Sequence, residues 1–253
     1  AGAGIIINIF IARYYGSVYL GVFNQVFAFY IFLSQFAICG IHFSTLKYIS
    51  HKQNELDRVG VIIFSALVLC LPFSLIFSLF AYLMRNIISE LFDSIDVGFG
   101  LMLIAPGLIF FSINKILLSV FNGMNLMRAY AFFQASRYVL IMCGILLLHL
   151  FSYGGKYLSL SLTIAEILLT IGMITYLFRF VISIKNISIS EYWISKHVSF
   201  GLRGFMSGAL SELNTRIDVI SIGYFLNDSM VGIYSFASTI AEGFGQLSIV
   251  VRR

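Results

Sequence analysis

Long apolar runs without a charged residue are the feature that most constrains how this chain folds. Residues 18–41 contain no Asp, Glu, Lys or Arg, and neither do residues 59–82. About 20 apolar residues are enough for an α-helix to cross the hydrocarbon core of a bilayer. The chain is only 11% charged, against roughly 25% in soluble domains. The runs are continuous and lack the alternation of barrel strands, so the sequence predicts an all-α, polytopic membrane protein.

The apolar runs predict about eight transmembrane helices. Residues 1–12 are too few for a complete crossing and are interpreted as the truncated end of a first span. The remaining spans are expected at about 18–41, 59–82, 98–120, 131–151, 158–178, 204–225 and 232–250. Between the second and third spans, Phe43, Leu46 and Ile49 recur at helical spacing. We interpret residues 42–58 either as a helix on the inner membrane surface or as a solvated loop.

The distribution of basic residues predicts a cytoplasmic N-terminus. Cytoplasmic loops are enriched in Lys and Arg, and this orientation leaves only Arg13, Arg85 and Lys156 in outer loops. The net charge of +5 is therefore attributed to membrane orientation, and no nucleic-acid partner is expected. The basic residues expected in inner loops are Lys47, Lys52, Arg58, Arg128, Arg179, Lys185, Lys196 and Arg203.

A weak internal repeat divides the chain into two parts. Residues 14–23 read YYGSVYLGVF and residues 225–234 read FLNDSMVGIY, so that Gly21 aligns with Gly232 at an offset of 211. Each segment follows an odd-numbered span and precedes the next helix, and repeated bundles are common in transporters. We predict a first six-helix lobe at 1–200, with a cytoplasmic linker at 180–203. The start of a second lobe follows at 204–253.

Patterns of enzymes and metal sites are missing from the sequence. It contains no GxxxxGK[ST] phosphate loop, no HExxH and no Gly-x-Ser-x-Gly. The cysteines Cys39, Cys70 and Cys143 lie in apolar runs without CxxC spacing, and the predicted outer loops are too short for a catalytic domain. The sequence therefore predicts transport, with no catalytic residue, no metal site and no cofactor.

Ionisable residues within the predicted spans are the candidate functional residues. Such a residue costs roughly 2.5–3.5 kcal/mol at the bilayer centre, so it tends to face a cavity or a partner. Lys115 lies near the inner end of its span, where its long side chain is expected to reach the surface. The other candidates are Arg137, Glu166, Glu212, Arg216, Asp218 and Glu242.

Spacing suggests two ion pairs among these candidates. Glu212 and Arg216 are four residues apart in the order that favours pairing on a helix. Arg137 and Glu166 lie on consecutive spans and could pair between them. For each pair, a structural ion pair and a cavity-facing role both remain open.

Short segments of the chain resemble polysaccharide-export flippases. They belong to the multidrug/oligosaccharidyl-lipid/polysaccharide exporter superfamily, whose members arrange two lobes around a central cavity. Because the chain ends within the eighth predicted span, we expect the functional protein to continue beyond Arg253. The matching segments are RYYG at 13–16, LGVF at 20–23, FNGMN at 121–125, LNTRID at 213–218 and GIYSFA at 232–237.

The resemblance implies transport of undecaprenyl-diphosphate-linked oligosaccharide units for O-antigen or lipopolysaccharide synthesis. The expected location is the bacterial cytoplasmic (inner) membrane. The implied partners are this substrate, membrane lipid, and a polysaccharide polymerase or chain-length regulator. Arginine binds two phosphate oxygens at once, which makes Arg13, Arg137 and Arg216 the candidate substrate-binding residues. The candidate ion-coupling residues are Glu166, Asp218 and Glu242.

Two other functions remain open at this point. One is a multidrug/cation antiporter of the same superfamily, which an excess of acids in the cavity would favour. The six core candidates comprise four acids and two arginines, so charge alone does not decide. The other is a non-transporting membrane subunit that scaffolds a polysaccharide assembly complex.

Overall fold

The computed structural model describes residues 2–181 and 188–251, and in these residues it contains helices and no strand. Five segments, α1, α3, α4, α5 and residues 155–180, are long and apolar enough to cross a membrane. The prediction of an all-α membrane protein is therefore confirmed. The helices are α1 (Gly2–Ile38), α2 (Ile41–Lys52), α3 (Leu56–Leu91), α4 (Ile95–Gly123), α5 (Met127–Leu150), α6 (Leu160–Phe180), α7 (Glu191–Phe225) and α8 (Asp228–Val251), with a short 3-10 turn at Gly155–Tyr157.

Helix α1 folds back on itself at Gly16. This glycine has φ 85° and ψ 175°, a conformation open mainly to glycine. Asn24 donates its side-chain N–H to the Asn8 side-chain oxygen at 2.8 Å, although the two residues are 16 apart in sequence. In a straight helix they would be about 24 Å apart. The predicted first and second spans are therefore the two arms of a tight helical hairpin.

Helix α4 lies at the centre of the bundle. Tyr30 of α1 donates its hydroxyl to the carbonyl of Gly107 at 2.9 Å, and Thr163 of α6 donates to the carbonyl of Leu103 at 2.7 Å. Buried apolar side chains of α1, α4, α5 and α6 form one cluster around these contacts, including Val26 and Leu108. The polar side chains of Ser112 and Asn114 on α4 are consequently buried within protein.

Helix α2 decides between the two interpretations of residues 42–58, because Ile41–Lys52 form a helix and not a loop. Its buried residues are Ile41, Ser44, Thr45 and Ile49, and it contacts α3, α4 and α7. Phe43, which the sequence placed on the apolar face, is 37% exposed. The spacing did predict a helix, but its buried face is rotated because small hydroxyl residues pack against the neighbouring helices.

Helix α7 begins earlier than the sequence predicted. Residues 191–203, assigned to a linker at 180–203, form its first turns, while residues 182–187 of that linker lie outside the described residues. The helix runs along α1 and α2. Glycines allow this close approach, because Gly204 and Gly208 pack on the ring of Phe43, and Gly201 packs on Cys39 and Gly40.

Helix α8 crosses the second arm of α1 at two glycines that are equivalent in the internal repeat. A Cβ on Gly21 would overlap the carbonyl of Asp228, and a Cβ on Gly232 would overlap the carbonyl of Ser17. Ser17 and Asp228 are also separated by the repeat offset of 211. The contact is thus reciprocal, as at a two-fold axis, and a 2.8 Å hydrogen bond between the hydroxyls of Ser17 and Ser229 accompanies it.

Candidate functional site

A cavity of about 470 Å³ lies between α1, α2, α4, α5 and α7. Most of the residues that line it have polar side chains, although the surrounding helices are apolar. Three charged residues, Lys115, Arg137 and Glu212, face it from different helices, so its lining has one positive charge in excess. The remaining lining residues are Gln35, His42, Phe43, Leu46, Leu118, Ser119, Asn122, Tyr130, Gln134, Ser207, Gly208 and Ser211.

Lys115 faces this cavity, which corrects the expectation that its side chain reaches the membrane surface. Its ammonium nitrogen stands 5.1 Å from the ring centroid of Phe111. The sequence-based expectation failed because α4 is enclosed by other helices, so position 115 has no open path to the surface. Among the described residues, no carboxylate lies within 4.0 Å of this ammonium group.

Arg137 and Glu166 form the ion pair that the sequence suggested. Nε of Arg137 lies 2.8 Å from Oε1 of Glu166, whose side chain is only 1% exposed. Asn114 donates to Oε2 of Glu166 at 2.7 Å, and Thr170 donates to Oδ1 of Asn114 at 2.9 Å. The carboxylate of Glu166 is thus bound by Arg137 and Asn114, and Glu166 does not line the cavity. Its network fixes the position of Arg137, whose guanidinium has five N–H donors and keeps some for a ligand.

A second cavity of about 180 Å³ lies farther along α5 and α7. Arg216 and Glu242 line it from opposite helices, and neither forms an ion pair within 4.0 Å in the described part of the chain. The guanidinium carbon of Arg216 stands 5.4 Å from the ring centroid of Phe27, and its buried Nε has no hydrogen-bond partner. The rest of the lining consists of Ala3, Gly4, Asn8, Asn24, Phe27, Tyr138 and Thr239.

The predicted pair of Glu212 and Arg216 is not among the ion pairs of the described residues. Glu212 lines the first cavity together with Lys115, whereas Arg216 lines the second. The i,i+4 spacing permits pairing, but the stacking of Arg216 on Phe27 directs its guanidinium away from Glu212. The sequence-based pairing is corrected accordingly.

Two other candidates lie outside the linings of both cavities. Asp218 accepts a short hydrogen bond from the hydroxyl of Tyr234 on α8. Arg13 is exposed near the Gly16 turn, where its guanidinium carbon is 5.9 Å from the ring centroid of Tyr14. Arg137 and Arg216 are therefore the two predicted arginines that the structure places at cavities.

The sequence analysis missed the uncharged polar residues of the cavities. Asn8 and Asn24 line the second cavity, and Gln35 and Gln134 line the first. An unsatisfied amide is also costly in hydrocarbon, so an Asn or Gln within a predicted span carries the same signal as a charge. Including amides in the search would have identified these four residues.

Comparison with known proteins identifies one family. The model of a family described as polysaccharide biosynthesis protein matches residues 1–246. No curated protein and no solved structure matches the chain. The matched range includes every residue that lines the two cavities.

Proposed function

Because the chain belongs to the polysaccharide biosynthesis protein family, we propose that it moves undecaprenyl-diphosphate-linked oligosaccharide units across the bacterial cytoplasmic membrane. Transport runs from the inner to the outer leaflet. The observation that carries this proposal is the first cavity, where Lys115 and Arg137 face a polar space inside an apolar helical bundle.

The charged groups of the cavity lower the main energetic cost of this transport, which is the transfer of a charged headgroup through hydrocarbon. The substrate headgroup has to cross about 30 Å of hydrocarbon, and burying an unpaired anion costs far more than burying a neutral polar group. Fixed cations in a polar cavity lower that cost. The lipid tail can remain in the bilayer while the diphosphate and sugars pass through the protein.

Phe111 brings the two cations together. The ammonium of Lys115 lies 5.1 Å from its ring centroid, and the guanidinium carbon of Arg137 lies 4.8 Å from it. Arginine can bind two phosphate oxygens in parallel, while lysine supplies a compact charge. Two cations beside one ring suit the two phosphate groups of a diphosphate.

A role in ion coupling fits Glu242 better than the other two candidate acids. Glu166 is held by Arg137 and Asn114, and Asp218 accepts from Tyr234. Glu242 lines a cavity and has no ion-pair partner among the described residues. We therefore assign the coupling role, if transport is coupled, to Glu242.

The proposal is tested by removing each cavity cation from the full-length protein in cells. We expect Lys115→Ala to cause accumulation of lipid-linked sugar while protein remains in the membrane. Arg137→Ala is made together with Glu166→Gln, so that no uncompensated carboxylate is left buried, and the same result is expected. Lys47→Ala is the matched control, because Lys47 also stands over a phenylalanine, 4.1 Å from the ring centroid of Phe200, but does not line the cavity. Normal lipid-linked sugar levels in well-expressed strains with Lys115→Ala and with the double change would contradict the proposal.

A further inference from the structure

We infer that the second cavity is a subsite for one uncharged sugar ring, the ring bonded to the diphosphate of the substrate. This inference rests on the proposed function, because it assumes that a diphosphate occupies the first cavity. The proposed function involves one binding site for the diphosphate. This inference assigns a second site, for a sugar, and states which class of sugar the site accepts.

The position of the second cavity suits a sugar bonded to the diphosphate. On α7, Arg216 of the second cavity follows Glu212 of the first by four residues, a rise of about 6 Å. On α5, Tyr138 of the second cavity directly follows Arg137 of the first. The two cavities therefore lie close enough for a ligand with its diphosphate beside Arg137 to reach the second cavity with its next group.

The size of the second cavity fits a single ring. Its volume of about 180 Å³ leaves space for several water molecules, and therefore for a compact polar group such as one sugar ring. The first cavity, at about 470 Å³, is more than twice as large. A longer glycan would extend beyond the second cavity.

The side chains of the second cavity suit a ligand with many hydroxyl groups. A hydroxyl both donates and accepts hydrogen bonds, and the cavity offers both kinds of partner. Arg216 supplies donors, including a buried Nε without a partner, and Glu242 supplies acceptors. Asn24 is oriented by its hydrogen bond to Asn8, while Phe27 offers an apolar surface for the C–H face of a ring.

The charges of the second cavity favour an uncharged sugar. Arg216 and Glu242 are the two charged residues in its lining, so the lining is neutral overall. The guanidinium and the carboxylate lie on different walls, so a polar ligand between them can accept from one and donate to the other. An acidic sugar would place a second carboxylate near Glu242, and repulsion would oppose its binding.

Equilibrium binding to purified full-length protein tests this inference. The probes are synthetic polyprenyl diphosphates that carry no sugar, one glucose or one glucuronic acid. We expect the glucose lipid to bind about tenfold more tightly than the bare lipid, because one or two added hydrogen bonds contribute a free energy of that size. The glucuronic acid lipid is expected to bind no more tightly than the bare lipid.

Two matched glutamate variants test whether the preference for the glucose lipid arises in the second cavity. Glu242→Gln leaves Arg216 uncompensated, so it should increase the affinity for the glucuronic acid lipid and reduce the advantage of the glucose lipid. Glu212→Gln makes the same change in the first cavity and should alter the affinity for all three lipids by the same factor. Thr239→Val, a nearly isosteric change at the second cavity, should weaken binding of the glucose lipid alone.

Each outcome separates this inference from the proposed function. Equal affinity of the wild-type protein for the bare and glucose lipids would overturn the subsite, as would a Glu242→Gln effect that is the same for all three lipids. If Lys115→Met weakens binding of none of the lipids, the diphosphate site itself is wrong and the proposed function fails. A loss confined to the glucose lipid in Thr239→Val supports the subsite.

Discussion

At the scale of single residues, the buried carboxylate of Glu166 has the clearest structural role. It joins α4, α5 and α6 through Asn114 and Arg137, and its side chain is 1% exposed. A buried ion pair often adds little net stability, but removal of one partner leaves an uncompensated charge. The network therefore serves mainly to hold Arg137 at the cavity wall.

The first prediction follows from this role. Glu166→Leu removes the partner of both Arg137 and Asn114, and we expect it to lower the free energy of unfolding by about 3–5 kcal/mol. The measurement is the thermal unfolding midpoint of the solubilised protein. Glu90→Leu, at an exposed position, is the control and should change the midpoint little. An unchanged midpoint in Glu166→Leu would show that the ion pair is not structural.

At this scale, sequence reasoning was most successful where charge was the signal. It identified Arg137, Glu166 and their pairing from their places on consecutive spans. It did not identify the cavity role of Lys115, because the depth of a residue along a helix does not reveal whether that helix is central or faces lipid. It also paired Glu212 with Arg216, because spacing alone contains no information about the ring of Phe27.

At the scale of helices, the junction of α1 and α2 depends on a glycine. Gly40 has φ 71°, a left-handed conformation that disfavours other residues. A Cβ at this position would also overlap the carbonyl oxygen of Gly201 on α7. The junction thus combines a backbone requirement with a close helix contact.

The second prediction tests this junction. Gly40→Ala should destabilise the protein by about 1–3 kcal/mol, the usual cost of a strained backbone position, with a further loss where α7 is displaced. Gly154→Ala is the matched control, because Gly154 has φ −65° and open space around its missing Cβ. Thermal unfolding of both variants is the measurement. Similar midpoints for the two variants would contradict the expected strain.

Helix boundaries show what the sequence could and could not provide at this scale. The apolar runs located α3, α4, α5 and α6, because hydrophobic length dominates in lipid. The early start of α7 at Glu191 was missed, since its first turns are polar and resemble a loop. The buried face of α2 was misassigned because packing against α3, α4 and α7 favours Ser44 and Thr45 over larger residues.

At the scale of the whole molecule, the loops fall into two groups at opposite ends of the bundle. The turns at Gly16, at 92–94, at 151–159 and at 226–227 alternate along the chain with the connections at 53–55, at 124–126 and immediately before Glu191. Tyr153 lies in the 151–159 turn, and Tyr192 lies in the first turn of α7, next to the other group of connections. Both are exposed, at 51% and 60%. They form a matched pair for testing membrane orientation.

The third prediction concerns that orientation. With a cytoplasmic N-terminus, Tyr153→Cys should react with a membrane-impermeant thiol reagent added to intact cells, and Tyr192→Cys should not. The native Cys143 is exposed, so all native cysteines are replaced first. Permeabilised cells provide the control, because both variants should then react. The opposite labelling pattern in intact cells would reverse the orientation.

The fourth prediction concerns the contact between the equivalent glycines. Gly21→Ala and Gly232→Ala each add a methyl group that pushes the same two helices apart. After the first substitution separates them, the second has more room. We expect the loss of stability in the double variant to be smaller than the sum of the two single losses, as measured by thermal unfolding. Additive losses would show that the two contacts are independent.

This reciprocal contact also limits how the gene can change. Positions 21 and 232 belong to different halves of the sequence, but a larger side chain at either one would meet the backbone of the opposite helix and push the same two helices apart. A substitution tolerated at one position depends on the residue at the other. We therefore expect the residues at the two positions to be tolerated only in compatible combinations, and chimaeras that join halves from diverged relatives to be destabilised at this crossing.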